Sequence, residues 1–192
     1  MTPRGVMFSS QLLDALMSAR RILVLGPCGS GKTCLTRALS RILELPAVHL
    51  DARFWQPGWI STPQPEWRRT VTSLVREKSW IMDGTYESTL DLRIPAAEVI
   101  IMLDRPRWLC LWGVVRRSLA YRNKPRPDAP SGQPIDIAYL RYIWRYPRQT
   151  DTLVRALVER HGPRIPVIRL DKQADTRSFI ASLQSRAGGV SA

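Results

Sequence analysis

Cysteine, histidine and lysine are all scarce in this 192-residue chain. Cys28, Cys34 and Cys110 form an odd set without paired spacing, which argues against a disulfide framework. Neither histidine stands at metal-ligand spacing from them, and His49 and His161, isolated in the sequence, read as structural. Lysine is confined to Lys32, Lys78, Lys124 and Lys172. Arginine therefore carries most of the positive charge, with 29 Lys and Arg against 16 Asp and Glu and a net charge of +13. Long apolar runs are missing: the longest, 108–115, is far too short to span a bilayer. The beginning of the chain lacks the apolar core of a secretory signal. No internal repeat is visible. These absences exclude a disulfide-stapled module and a zinc domain, leave no membrane partner, and make a cytoplasmic location the expectation. The length suits one domain over 1–192 with a substantial core.

One octapeptide stands out against this background. Gly26, Pro27, Cys28, Gly29, Ser30, Gly31, Lys32 and Thr33, with Cys34 beside them, spell G-x-x-x-x-G-K-[ST], the phosphate-binding loop of nucleoside triphosphate proteins. The glycines let the backbone take positive φ and approach phosphate oxygens closely. The loop amides and the following helix N-terminus supply donors and positive potential. Lys32 is expected to reach the β- and γ-phosphates of ATP, and Thr33 to hold Mg²⁺ through its hydroxyl.

The flanks agree with that motif. Residues 21–25 form a short apolar run, as a buried parallel strand does. Leu35, Ala38, Leu39 and Ile42 then recur at helical spacing. Four more apolar strands are expected at 47–50, 80–82, 99–103 and 166–170, with helices between them. Residues 1–20 read as an amphipathic lead-in. A loop rich in Trp, Pro and Gly runs over 54–63, and Pro65 opens a helix lined by Trp67, Val71 and Leu74. A helix over 108–119 carries Arg116 and Arg117. Segment 121–136, with Arg122 and Arg126, reads as a loop or lid, and the helix after it is expected to break at Pro147. Five strands alternating with helices predict an α/β three-layer sandwich around a parallel sheet.

Ligands bind such sheets at the C-terminal strand ends, where the phosphate loop, Asp51, Asp83 and Asp104 converge. A phosphate-bound Mg²⁺ is usually helped by an acid at a strand end; Asp83, followed by Gly84, is favoured over Asp104 for that role. Asp51 is either the base that takes a proton from a hydroxyl acceptor or a solvated turn residue before Ala52 and Arg53. Trp55 and Trp59 can stack on an acceptor, while Trp67 fits the core better. Arg117 and Arg122 are the favoured partners of the transferring phosphoryl group, and Arg93 is a candidate contact to the acceptor.

The series His49-Leu50-Asp51, Trp55 with Pro57-Gly58-Trp59, Glu66-Trp67, Trp80-Ile81-Met82-Asp83-Gly84-Thr85-Tyr86, Arg93 and Leu103-Asp104-Arg105-Pro106-Arg107 resembles the adenylate-kinase-like P-loop proteins labelled DNA topology modulation proteins. The resemblance covers about 21–117. It implies an adenylate-kinase-like core with strand order 2-3-1-4-5, ATP binding and a mobile lid. Typical adenylate kinases carry Phe-Pro-Arg after the Asp-Gly, where this chain has Thr85-Tyr86-Glu87, a departure that weakens AMP as the acceptor.

The leading expectation is thus a Mg²⁺-ATP-dependent phosphotransferase with Lys32, Asp51, Arg117 and Arg122 at its catalytic centre and an unidentified small acceptor. The alternatives are an ATP-regulated protein associated with nucleic acid, for which no helix-turn-helix, zinc-finger or OB pattern is present, and a slow ATPase that signals to a partner. Oligomeric state is not legible in the sequence.

Overall fold

A computed structural model describes residues 8–121, 126, 128–130 and 132–189. Its sheet is organised around β1 (Arg21–Leu25), which pairs in parallel with β5 (Trp80–Asp83) on one side and β6 (Val99–Leu103) on the other. Outside these lie β2 (Ala47–His49) against β5 and β7 (Val167–Leu170) against β6. The spatial order β2-β5-β1-β6-β7 is the expected 2-3-1-4-5 once the five sheet strands are counted alone.

β1 explains why both faces must be covered. Its alternate residues enter two separate apolar clusters. Ile22 and Val24 pack with Leu35 and Leu39 of α2 (Lys32–Leu43), Leu13 and Leu16 of α1 (Ser10–Ser18), and Phe179 and Leu183 of α8 (Gln173–Gly189). Leu23 and Leu25 pack with Trp67 and Val71 of α4 (Gln64–Val75), Leu90 of α5 (Leu90–Arg93) and Val154 and Val158 of α7 (Ile137–His161). A strand buried on both faces carries a continuous apolar run rather than an alternating one, and that is how 22–25 is spelled.

Two local expectations are corrected. The 54–63 segment is not an open loop. After a single helical turn, α3 (Asp51–Phe54), the chain forms a hairpin of β3 (Trp55–Gln56) and β4 (Ile60–Ser61). Pro57 and Gly58 sit at its tip, Gly58 with φ of 80°, and Trp59 N–H donates to the Gln56 carbonyl at 3.0 Å. Pro followed by a positive-φ glycine is what such a turn requires. The helix expected to break at Pro147 instead runs unbroken as α7 over Ile137–His161. Proline removes one i→i−4 hydrogen bond, and 25 residues of helix, several packed on the core, outweigh that loss.

The helix α6 (Arg107–Ala120) is set tightly against the phosphate loop. A Cβ on Gly113 would fall 2.4 Å from the Gly29 carbonyl oxygen, and one on Gly29, whose φ is 79°, would fall 2.1 Å from the Cys110 carbonyl oxygen. Both glycines are therefore required by a backbone-to-backbone approach that no side chain permits. Among the described residues no helix is long and apolar enough to cross a membrane.

Candidate active site

The loop after β1 makes its turns with glycine. Gly26, Gly29 and Gly31 have φ of 140°, 79° and 97°, and Gly31 sits at the N-cap of α2 without a side-chain cap. The first-turn amides of α2 are thus left to an anion. Ser30 Oγ is buried without a hydrogen-bond partner among the described residues. A Cβ on Gly31 would meet nothing within 4 Å, so that side of the loop is open. Lys32 Nζ donates to the carbonyls of Gly26 and Pro27 at 2.7 and 2.9 Å, which curls the ammonium over the loop. Open amides, a glycine cradle, an orphaned hydroxyl and a poised ammonium together fit a phosphate chain.

These groups line a cleft of about 980 Å³. The residues of the loop other than Pro27 line it, as do Asp51, Asp83 and Arg117. Arg122 lies outside the described residues. Asp104 is not part of the lining: it is exposed and accepts from Arg155 Nη2 at 2.8 Å. The preference for Asp83 over Asp104 therefore rests on position.

Parallel register brings Asp83 to the site. It stands beside Val24 on β1 and His49 on β2, and His49 Nδ1 lies 2.9 Å from Asp83 Oδ2. His49 is thus not isolated, as its sequence position suggested. Burial works against the charged imidazole, but its hydrogen bond to Asp83 and the charges of Asp83 and Asp128 raise its pKa overall. Thr33 Oγ1 lies 3.3 Å from Asp128 Oδ2, and Asp128 in turn pairs with Arg126 at 3.0 Å and Arg37 at 3.7 Å. Burial alone would raise the Asp128 pKa; Arg126, with Arg117 and Arg37, holds it below the usual carboxylate range. Sequence reading missed Asp128, since nothing in Pro-Arg-Pro-Asp-Ala-Pro says that it folds back onto α2. Among the described residues no three His, Cys, Asp or Glu side chains gather as a metal cage. The donors that fit Mg²⁺ here are hydroxyl and carboxylate oxygens, which suit a hard cation that keeps waters and phosphate oxygens.

In the same cleft, Asp51 opens α3 and accepts a hydrogen bond from the Tyr86 hydroxyl at 2.6 Å. Burial, and next the Asp51 charge, push the Tyr86 phenol far above its ordinary pKa, so it stays protonated and donates. Tyr86 has φ of 36°, an unusual left-handed conformation for a residue with a side chain. Arg93 holds that turn. It is fully buried and donates to the carbonyls of Gly84, Thr85 and Tyr86 and to Thr89 Oγ1. Desolvation pulls its pKa down to about 9, which leaves it charged at neutral pH. Arg93 therefore does not reach an acceptor, as the sequence had suggested, because three backbone carbonyls and a hydroxyl take its donors. Thr85 Oγ1 donates to the Gly26 carbonyl at 2.8 Å and lies 3.1 Å from the Tyr146 hydroxyl, tying this turn to the phosphate loop.

Trp67 is fully buried, and its ring meets Phe54 at 5.1 Å and Tyr86 at 5.2 Å between centroids. Trp55 and Trp59 line the cleft, with 5.4 Å between their rings. Arg117 donates to Gln133 Oε1 at 2.9 Å and to the Tyr139 hydroxyl at 3.2 Å, so α6 and the start of α7 meet at this cation.

No protein-family model matches the chain, and no curated protein sequence matches it significantly. Solved structures do resemble it. A shikimate kinase from Acinetobacter baumannii in complex with shikimate is 17% identical, with a TM-score of 0.57, over 92% of this chain and 97% of that one. A deoxyadenosine kinase from M. mycoides with products bound is 10% identical, with a TM-score of 0.50, over 88% of this chain and 99% of that one. At these identities the likeness is one of fold: the chain has the α/β fold of P-loop kinases.

Proposed function

We propose that this chain is an ATP-dependent phosphotransferase that phosphorylates a hydroxyl group of a small acceptor. One observation carries the reading: the glycine cradle with Lys32 and the Asp51–Tyr86 pair face one cleft from the same sheet edge. A kinase needs both, a site for the triphosphate and a base beside the acceptor. A hydrolase can use the same carboxylate to position water, so transfer to an acceptor is what separates the two readings.

In this reading the loop amides and Lys32 bind the β- and γ-phosphates of ATP. Thr33 and Asp83 would hold a Mg²⁺, with Asp128 beside Thr33, and the ion would supply neutralisation of the charge that develops on the phosphates. Asp51 takes the acceptor's hydroxyl proton as the new oxygen–phosphorus bond forms and the bond to the β-phosphate oxygen breaks, leaving ADP. Tyr86 orients Asp51. Arg117, which lines the cleft, stabilises the transferring group. The motif series discussed above supports a place near the adenylate-kinase-like group labelled for DNA topology modulation, with a small molecule rather than duplex DNA as the partner.

Labelled Mg-ATP incubated with a panel of nucleosides, sugars and small phosphorylated metabolites tests the reading, with Lys32→Ala as the blank. Transfer to at least one acceptor above the blank is expected. Hydrolysis that no acceptor accelerates would reject it in favour of a slow ATPase.

A further inference from the structure

Asp83 and Asp128 both line the cleft, and His49, bonded to Asp83, also feels the Asp128 charge. Asp128 goes further and accepts from the threonine of the phosphate loop. Its Oδ2 lies 3.3 Å from Thr33 Oγ1, in the first turn of α2, and its side chain is only 8% exposed. Burial opposes the charge, but Arg126, Arg117 and Arg37 keep the carboxylate ionised at neutral pH.

That carboxylate is held in place. Arg126 Nη2 donates to Asp128 Oδ2 at 3.0 Å, and Arg126 Nη1 to Gln133 Oε1 at 2.9 Å. Gln133 Oε1 also accepts from Arg117 at 2.9 Å. Arg37 of α2 pairs with Asp128 Oδ1 at 3.7 Å. A fixed anion therefore sits on the hydroxyl that a triphosphate tail has to approach.

Elsewhere the cleft attracts polyphosphate. Lys32, Arg105, Arg116 and Arg177 line it, and the loop carries Ser30 Oγ, buried without a partner among the described residues. The obstacle is local. A metal-free tail would bring its oxygens against an ionised carboxylate in a poorly solvated place, where like charges repel strongly. It would also compete with Asp128 for Thr33 and Arg37. For a tail complexed with Mg²⁺ the sign reverses. Carboxylate and hydroxyl oxygens are donors that this hard cation takes, so the same group attracts.

We propose that Asp128 selects the metal complex: it holds metal-free ATP off the phosphate loop and admits Mg-ATP. This rests on the kinase reading for the triphosphate at the loop, but binding alone measures it.

The test is calorimetric titration of ATP in excess Mg²⁺ and, separately, in EDTA, with thermal unfolding of each protein alongside. Asp128→Asn keeps the shape and removes the charge. It is expected to bind metal-free ATP about tenfold or more tighter than the wild type does, the scale of one close like-charge contact, with Mg-ATP bound equally or less tightly. Asp128→Ala, which removes the carboxylate altogether, should tighten metal-free ATP likewise. Asp104→Asn, which removes an exposed acid outside the cleft lining, should leave the ratio of the two affinities as it is. A wild type that binds metal-free ATP as tightly as Mg-ATP overturns the proposal, as do folded Asp128 variants that bind metal-free ATP no tighter than the wild type. Loss of Mg-ATP affinity alone also overturns it and makes Asp128 a metal donor only. These outcomes leave the kinase reading standing. A wild type that binds ATP in neither buffer sinks that reading and this proposal with it.

Discussion

The Tyr86 hydroxyl donates to Asp51 Oδ1 at 2.6 Å across 35 residues of sequence. The bond joins the turn after β5 to the first turn of α3, and so fixes the carboxylate that faces the cleft. Asp51→Asn keeps the shape and removes the proton acceptor. It is expected to lower kcat by about 10²- to 10⁴-fold while calorimetric affinity for Mg-ATP stays the same. Tyr86→Phe removes only the orienting bond. Hydrogen bonds to charged groups are worth about 1.5–3 kcal/mol, so a loss in kcat of tenfold or more is expected, with the acceptor KM little changed. Wild-type turnover in either variant would deny the pair a role.

Lys32→Ala tests the phosphate loop. Its ammonium is free to leave the Gly26 and Pro27 carbonyls for phosphate oxygens. Loss of one charge-assisted contact of about 1.5–3 kcal/mol predicts a rise in Kd for Mg-ATP of about ten- to hundredfold, read by calorimetry on a variant whose thermal unfolding is unchanged.

Gly113 gives a prediction with an inverted sign. Replacing glycine by alanine inside a helix ordinarily stabilises by about 0.5–1 kcal/mol. Here the new methyl would lie 2.4 Å from the Gly29 carbonyl oxygen. Overpacking of this kind costs about 1–3 kcal/mol. Gly113→Ala should therefore lower the midpoint of thermal unfolding by a few degrees and weaken ATP binding together, since it displaces the loop itself. A more stable protein would show that loop and helix are less closely seated.

Glu98 sets a low-pH limb. Its Oε2 accepts from the Arg20 and Arg21 amides at 2.6 and 3.4 Å, and its Oε1 from the Arg21 side chain at 3.1 Å. Burial favours the neutral acid, but the amide and guanidinium bonds prevail and lower its pKa. A carboxyl with a folded pKa below its unfolded value stabilises above the ordinary glutamate range and loses that contribution as pH falls through the folded value. The side chain is 38% exposed, so the term is discounted to about 1 kcal/mol or less. Urea midpoints measured from pH 6 down to pH 3 should fall more steeply for the wild type than for Glu98→Gln.

The sheet and the phosphate loop were legible because their signals are local. Residues 22–25 are apolar at every position since both faces of β1 are covered, and the loop's glycines sit where positive φ is needed. Asp83 and Asp51 were legible as strand-end acids. Their partners were not. His49 meets Asp83 only through the register of β2 on β5, and Asp128 reaches Thr33 across 95 residues. Arg93 was misread because an arginine near an acidic turn looks solvent-facing, and its burial depends on how Gly84, Thr85 and Tyr86 present their carbonyls. The hairpin at 55–61 was hidden by strands of two residues each, too short for any alternation to register.

Arg93 acts as an internal splint. One planar fork pins three successive peptide units and thereby sets the angle at which a phenol meets a carboxylate, although water never touches it. A lysine there would present a single rotating ammonium instead of a rigid fork, and the phenol would drift. The reactivity of the cleft is thus vulnerable to change at a position that no ligand would ever contact.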